Sequence, residues 1–312
     1  MHRGNNANVQ GRPASTHHFG FPRFASGIEG SSTSTSASSA LPPAAGDAPS
    51  TGTSPRDNNA KVYRGSAVAA GYGRETLLTR VEAVALLKYQ PAFTGKDVLD
   101  VGVGAGRTTP YLAPLARHYQ AVDYSPAMVA RVRTAFPGVS VALADMTDLH
   151  GLGDAGFDFV FASNNVLDAV GHEDRLRTLR GIHRILRHDG VLMFSSHNRD
   201  VRHAMQWPRL AVSRNPVTQM RHLFYWGVSL VNHARLRKAQ TVRADHAIIN
   251  DSAHDWSMLH YYIGPDQQAR QLADEGFRLI EIFDQMGTPV AAGDHAAHSR
   301  SLLYVAQRVT IE

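Results

Sequence analysis

Residues 98–109, VLDVGVGAGRTT, decide the fold of this 312-residue chain. The apolar start of this stretch predicts a buried β-strand that ends at Asp100, and the second half predicts a glycine-rich turn that leads into a helix. Gly102, Gly104 and Gly106 occupy every second position, so the backbone turns tightly and a ligand approaches the main chain without meeting a Cβ atom. We therefore expect a cofactor at the carboxyl end of this strand.

The glycine spacing separates this turn from two other well-known ligand-binding turns. A dinucleotide-binding turn has its third glycine three residues after its second, where this chain has Arg107. A phosphate-binding P-loop ends in lysine followed by serine or threonine, and that pair is absent here. The spacing therefore disfavours NAD as the ligand and excludes a P-loop.

The motif Asp100-x-Gly102-x-Gly104-x-Gly106 resembles motif I of the class I S-adenosylmethionine (SAM)-dependent methyltransferases. The resemblance covers about residues 63–309 and implies SAM as the cofactor, with these four residues at its binding turn. It also implies a Rossmann-like α/β fold, a doubly wound, mostly parallel sheet of seven strands whose last strand is antiparallel. The alternation of predicted strands and helices along the chain agrees with a parallel sheet.

Two acidic residues follow the next two predicted strands. Asp123 ends a strand over residues 119–123, and a carboxylate there accepts hydrogen bonds from both hydroxyls of a ribose. Asp145 follows a strand over residues 139–144, and the resemblance implies that it accepts from the adenine amino group. Three neighbours of these acids are predicted to contact adenine: Tyr124, Met128 and Met146.

The end of the fourth predicted strand marks the place of methyl transfer. Residues 157–162, FDFVFA, are almost wholly apolar, as in a central strand covered on both faces. In the family that the chain resembles, this strand end lies beside the methionine part of SAM, which makes Asn164 a predicted cofactor-binding residue. A displacement at the sulfonium methyl needs aligned reactants and, for a protonated acceptor, a base. We predict His197 as that base, because histidine titrates nearest to neutral pH, and Asp168 as the second catalytic candidate.

An ordinary structural role stays open for both catalytic candidates. His197 follows a predicted strand, where hydrogen-bonding loop residues are common, and Asp168 is placed to cap a turn. No grouping of histidines and carboxylates has the spacing of a zinc site, so no metal is predicted. The chain has no cysteine, which excludes disulfides, thiolate ligands and a nucleophilic cysteine.

Composition divides the chain into a tail and a domain. Residues 1–60 are rich in Ser, Thr, Ala, Gly, Pro and Asn without apolar periodicity, which predicts a disordered, low-complexity tail. Residues 61–312 are predicted to form the methyltransferase domain. No apolar run reaches the length of a membrane span, and we expect a cytoplasmic protein.

The net charge of +5 is concentrated in one insert, residues 199–243, which alone carries +8. Five apolar residues fall at helical spacing there and predict a helical cap: Val217, Met220, Phe224, Val228 and Val231. In the simplest interpretation this helix packs its apolar face on the domain and leaves its arginines in water. In the alternatives the arginines meet an anionic acceptor, rest on an anionic membrane surface, or neutralise nucleic-acid phosphates. Nucleic acid is the least favoured, because no RNA-binding module is readable.

These features predict an enzyme that moves a methyl group from SAM to an oxygen, nitrogen or carbon atom of a small-molecule acceptor. One alternative is a SAM-binding protein without activity, acting as a sensor or a partner subunit. Another is a methyltransferase that acts on RNA or on a lipid-linked acceptor through the basic insert. Fold and cofactor leave the identity of the acceptor and the oligomeric state open.

Overall fold

The computed structural model describes residues 54–63, 77–201 and 207–310. In these ranges one mixed sheet contains ten strands. The strands are β1 (Asp97–Val101), β2 (His118–Asp123), β3 (Ser140–Leu143), β4 (Phe157–Ala162), β5 (Leu186–Asn198), β6 (Thr241–Val242), β7 (His246–Asn250), β8 (Leu259–Ile263), β9 (Phe277–Phe283) and β10 (Ser301–Arg308). The α-helices are α1 (Pro55–Tyr63), α2 (Arg80–Lys88), α3 (Thr109–Leu112), α4 (Pro126–Ala135), α5 (His172–Ile185), α6 (Pro216–Leu236) and α7 (Pro265–Asp274).

The parallel half of the sheet has the order β3-β2-β1-β4-β5. β10 runs antiparallel to β5 on one side and to β9 on the other. These seven strands confirm the predicted Rossmann-like fold, a mostly parallel sheet whose last strand is antiparallel.

Strands β6, β7 and β8 are an addition that the sequence analysis did not foresee. β8 pairs in parallel with the last two residues of β5, where Tyr262 faces His197 and Ile263 faces Asn198. β10 also pairs with β5 at His197, and the pairing of β4 with β5 ends earlier, at Phe194. β8 therefore pairs with β5 beyond the point where the pairing with β4 ends. This pairing brings the β7–β8 hairpin to the carboxyl end of the sheet.

Helices cover both faces of the sheet because the side chains of its strands alternate. In β4, Val160 and Ala162 pack with Ile182 of α5 on one face. Phe159 and Phe161 pack with α2 and α3 on the other. All of these side chains are fully buried, as expected for a central parallel strand.

Residues 55–60 correct the prediction of a disordered tail, because they belong to helix α1. Two buried asparagines attach this helix to the domain. Asn59 donates to the carbonyl oxygens of Ala169 (2.9 Å) and Leu259 (2.6 Å), and Asn58 donates to that of Ser257 (2.8 Å). Amide hydrogen bonds rather than an apolar stripe fix the helix, so apolar periodicity gave no sign of it. Residues 1–53 lie outside the described ranges.

The predicted helix in the basic insert is present as α6, but the simplest interpretation, in which its apolar stripe packs on the domain, is wrong. Ser229, His233 and Leu236 are the buried positions of α6, and they lie on the face that packs on the domain. The apolar stripe predicted to pack there points away from it, since Val217 is 78% exposed and Phe224 67%. A helical period alone does not tell which face of a helix meets the domain.

Candidate functional site

A cavity of about 690 Å³ opens at the carboxyl ends of β1 to β4. This volume lies within the range of small-molecule sites. Eight of the ten predicted cofactor-binding residues line it: Gly102, Gly104, Asp123, Tyr124, Met128, Asp145, Met146 and Asn164. The predicted residues thus come together from four strand ends, as a parallel sheet requires.

The other two predicted residues, Asp100 and Gly106, shape the turn from behind and do not line the cavity. Asp100 is fully buried, and its carboxylate accepts hydrogen bonds from the hydroxyls of Thr108 and Tyr119. Burial raises the pKa of Asp100 to about 6. Gly106 has φ +88°, and a Cβ atom there would lie 2.5 Å from Cε2 of Phe136. Both residues therefore position the turn.

Asp123 connects the second strand to the glycine turn. Its Oδ2 accepts from the backbone N–H of Gly104 and its Oδ1 from that of Ser125, both at 2.9 Å. Burial raises the pKa of Asp123, and the two backbone donors oppose this rise. A carboxylate oxygen accepts more than one hydrogen bond, so both oxygens keep capacity for ribose hydroxyls.

Asp145 is held from two directions. Its Oδ1 accepts from the backbone N–H (2.9 Å) and hydroxyl (2.8 Å) of Thr147, and its Oδ2 accepts from Nη2 of Arg56 at 2.7 Å. Burial alone would raise the pKa of Asp145, but Thr147 and Arg56 outweigh burial and lower it. Arg56 belongs to α1, so the first described helix reaches across the cavity.

Helix α1 contributes further wall residues that the sequence analysis missed. Asn59, Lys61 and Tyr63 line the cavity together with Arg56. The signal available in the sequence was weak, because a single asparagine pair and scattered charges resemble an ordinary polar linker. The contacts that place them here span more than a hundred residues of chain.

A largely buried ion pair connects the glycine turn to helix α2. Arg107 donates to both carboxylate oxygens of Glu82, at 2.6 and 2.7 Å. Glu82 also accepts from the backbone N–H of Thr79, which completes a capping box at the start of α2. Arg107, which replaces the third glycine of a dinucleotide turn, thus locks α2 against this turn.

The two predicted catalytic residues are in direct contact. Asp168 is fully buried, and its Oδ2 lies 2.7 Å from Nδ1 of His197 and accepts from the backbone N–H of the same residue at 2.6 Å. Its Oδ1 accepts from Arg175 and from Ser196. Burial would raise the pKa of Asp168, but the charges of Arg175 and His197 and these hydrogen bonds outweigh it and lower the pKa. Asp168 is therefore an ionised carboxylate that accepts the Nδ1–H of His197.

The other ring nitrogen of His197 contacts a residue that adjoins the cavity wall. Nε2 lies 3.2 Å from the side-chain nitrogen of Asn165, the neighbour of Asn164 in the cavity wall. Oδ1 of Asn165 is buried without a hydrogen-bond donor among the described residues. An orphaned acceptor of this kind is costly unless a ligand or water supplies the donor.

A second histidine and carboxylate pair lies beside the first. Oδ2 of Asp251 accepts from Tyr262 at 2.9 Å and lies 2.8 Å from Nδ1 of His260, whose ring centroid is 5.1 Å from that of His197. Burial lowers the pKa of His260, but the charge of Asp251 outweighs burial and raises it. Sequence spacing did not predict this pair, because the partners come from β8 and from the loop after β7.

Two side-chain groups bring potential cation ligands within 4.8 Å of one another: His197, Asp251 and His260, and His172, Asp245 and His246. In the first group both Nδ1 atoms already face a carboxylate. In the second, the rings of His172 and His246 stack face to face with centroids 4.1 Å apart, which does not direct their nitrogens at one point. We therefore interpret these groups as paired side chains, and the absence of a metal stays a prediction.

Comparisons with known proteins agree with this geometry. Residues 99–194 match the family model of a methyltransferase domain. A probable SAM-dependent methyltransferase of Mycobacterium tuberculosis is 37% identical over 120 residues, which are 38% of this chain and 42% of that protein. The malonyl-[acyl-carrier protein] O-methyltransferase of Halorhodospira halophila is 32% identical over 157 residues, 48% of this chain and 49% of the relative. Residues 99–194 are therefore a methyltransferase domain, and the chain is similar to SAM-dependent methyltransferases.

The chain thus spans about half or less of the length of these curated relatives. Among solved structures, a SAM-dependent methyltransferase of Clostridium acetobutylicum has a TM-score of 0.51 at 12% identity, and the match covers 74% of this chain and 92% of that one. The 1,6-didemethyltoxoflavin-N1-methyltransferase of Burkholderia thailandensis has a TM-score of 0.50 at 17% identity, with 82% and 91% covered. At these identities the likeness shows the fold. SAM is the cofactor of the methyltransferase domain.

Proposed function

We propose that this chain is an enzyme that transfers the methyl group of SAM to an oxygen, nitrogen or carbon atom of a small-molecule acceptor. The proposal rests on one observation, the proximity of the cavity to the His197–Asp168 pair. Asn164 lines the cofactor-sized cavity, and the side chain of its neighbour Asn165 contacts His197, which is paired with Asp168. A base beside the methyl end of the cofactor is what transfer to a protonated acceptor requires.

The cavity lining fits SAM. The carboxylate of Asp123 would accept from the ribose hydroxyls, and that of Asp145 from the adenine amino group. Tyr124, Met128 and Met146 would pack on the adenine ring. Gly104 has open space where a Cβ atom would stand, so the cofactor can approach the backbone there.

Each residue at the acceptor end has a task in the proposed reaction. The bound cofactor supplies an activated methyl group on a sulfonium sulfur. Asp168 holds the proton on Nδ1 of His197, which leaves the lone pair of Nε2 to accept from the side-chain amide of Asn165. In the proposed reaction the acceptor displaces this amide, and Nε2 takes the proton of the acceptor as the new bond to carbon forms. The electrons of the broken sulfur–carbon bond remain on sulfur. Arg175 balances the charge of Asp168 in the buried site.

The enclosure of the acceptor end of the cavity favours a small acceptor. Helix α1 closes the cavity from one side, and its asparagines connect it to β8 and to the segment after β4. The relative from Halorhodospira halophila is named for an O-methyl transfer, so carboxylic acids belong in the acceptor panel beside alcohols, phenols and amines. A cytoplasmic location remains part of the proposal.

The test measures S-adenosylhomocysteine formation with this acceptor panel. For an acceptor that reacts, His197→Asn should lower kcat by about a hundredfold or more and leave SAM affinity unchanged. His188→Asn is the matched control, because His188 also pairs with a neighbouring aspartate but lies exposed on the turn inside β5. Equal kcat values for His197→Asn and the parent would show that His197 is not the base. Tight SAM binding without turnover of any acceptor would favour the non-catalytic alternative.

A further inference from the structure

The outward face of α6 is an apolar stripe in water. It comprises Val217 (78% exposed), Met220 (68%), Phe224 (67%) and Val231 (70%). These positions recur every three, four or seven residues and therefore lie on one side of the helix. Trp207 (62%) and Val212 (87%), which precede the helix, are exposed as well. Large contiguous apolar surfaces are uncommon on soluble proteins and mark contact sites.

The same segment is uniformly basic. Residues 201–244 contain no aspartate or glutamate. Seven cations of the segment are exposed and have no carboxylate partner among the described residues: Arg209, Arg214, Arg221, Arg235, Arg237, Lys238 and Arg243. Arg221 and Arg235 lie on the same side of α6 as the apolar stripe, given the helical period. The face therefore combines apolar side chains with positive charge that no carboxylate in the described part of the chain neutralises.

Helix α6 is fixed to the domain by its other face. Leu236 packs with Ile248 and Leu259 of the β7–β8 hairpin, and Nδ1 of His233 lies 2.7 Å from Oδ1 of Asn250. The helix begins at a capped position, where the side chain of Asn215 accepts from two backbone N–H groups. The stripe is therefore presented by a formed and anchored helix.

We propose that this outward face of α6 binds the surface of an anionic lipid bilayer. An interfacial helix places aromatic and aliphatic side chains at the boundary of the acyl chains and directs arginines to anionic headgroups, and both components are present here. Within the described ranges, no helix combines the length and apolar character needed to cross a bilayer, so the contact is peripheral. This inference is independent of the proposed methyl transfer.

Two other occupants fit the face less well. A second copy docked through the same face would bring two acid-free basic segments together, and like charges in contact are unfavourable. Nucleic acid would neutralise the arginines but would leave the apolar stripe of α6 without a partner, because phosphate contacts are made by polar and charged groups. An anionic bilayer satisfies both components at once.

The test is co-sedimentation of the full chain with vesicles. Vesicles of phosphatidylcholine with phosphatidylglycerol should bind the protein, and vesicles of phosphatidylcholine alone should bind it at least tenfold more weakly. Phe224→Ser should weaken binding about tenfold, and Arg221→Ser about fivefold. The matched controls are Leu87→Ser, which removes an equally exposed apolar side chain elsewhere, and Lys96→Ser, which removes an exposed charge elsewhere. Both should bind like the parent.

Thermal melts confirm that each variant is folded, and Val217→Ser replaces Phe224→Ser if the latter is not. The proposal is overturned if the anionic vesicles bind no better than neutral ones, or if the control variants weaken binding as much as the stripe variants. It is also overturned if the parent protein does not bind vesicles and Phe224→Ser converts a dimer to a monomer. Salt-sensitive binding to an RNA oligonucleotide with no vesicle binding would contradict it as well.

Discussion

Arg56 donates a hydrogen bond to Asp145 across the mouth of the cofactor cavity, with Nη2 and Oδ2 2.7 Å apart. The two side chains are 38% and 35% exposed, so water reaches the pair. Asp145 is also the residue proposed to receive the adenine amino group. We expect adenine to take the place of Arg56 at Oδ2 of Asp145, so that the contact between α1 and Asp145 has to loosen when the cofactor enters.

Arg56→Ser should speed the association of SAM about two- to fivefold, because the partly exposed ion pair that entry disrupts is worth less than about 1 kcal/mol. Stopped-flow fluorescence with SAM measures the rate. Arg180→Ser is the control, since it removes an exposed arginine paired with Glu275, and neither residue lines the cavity. Slower association in Arg56→Ser would mean that Arg56 recruits the cofactor rather than competing with it.

Gly104→Val should abolish measurable SAM binding, because its side chain would enter the cavity. The matched control is Gly95→Val. Both glycines have positive φ (+56° and +68°) and no atom within 4 Å of the place where a Cβ atom would stand, so the backbone strain is similar, but only Gly104 lines the cavity. Calorimetry with SAM on both folded variants separates obstruction of the cavity from backbone strain. Equal loss of affinity in both would show that the turn is not the binding site.

His197 should carry its proton on Nδ1 when neutral, since Asp168 is an ionised acceptor for that nitrogen. Nitrogen-15 NMR of histidine-labelled protein at about pH 8, above the ordinary pKa of histidine, distinguishes the two tautomers. His183 is an internal reference, because its Nε2 lies 3.1 Å from the carbonyl oxygen of Val309 and must donate to it. A proton on Nε2 of His197 would refute its assignment as the base.

Asp100 should make folding stability fall as the pH rises from about 4 to 6. Burial raises its pKa from 3.8 to about 6, so the folded protein binds more protons than the unfolded chain in this window. Stability is then lost as the pH rises through the folded pKa. Asp100→Asn does not titrate, so the free energy of unfolding of the parent should decline relative to this variant by on the order of 3 kcal/mol. Urea denaturation at several pH values measures the difference, and a pH-independent difference would contradict the buried, protonated state.

The sequence predicted those parts of the site that depend on neighbours in the chain. The glycine turn, Asp123 and Asp145 each follow a strand directly, and parallel strands bring such ends to one edge of a sheet. Helix α1 escaped prediction because Asn58 and Asn59 are held by carbonyl groups of remote segments. Hydrophobic periodicity carries no information about such bonds.

The position of Arg175 in the sequence could have predicted a buried ion pair. It precedes Leu179 and Ile182 at helical spacing and so lies on the buried face of α5, where an unpaired charge is costly. A charge at a core position implies a buried partner, here Asp168. The orientation of α6 could not be read in the same way, because both faces of that helix carry apolar residues.

Titration calorimetry of the purified chain with SAM and S-adenosylhomocysteine tests the central claim most directly, with NAD and ATP as controls and Asp123→Ala as the paired variant. We predict micromolar binding of the SAM pair alone, weakened by about 1–3 kcal/mol in Asp123→Ala through loss of the ribose acceptor. Binding of NAD, or no heat with SAM and S-adenosylhomocysteine, would contradict the account.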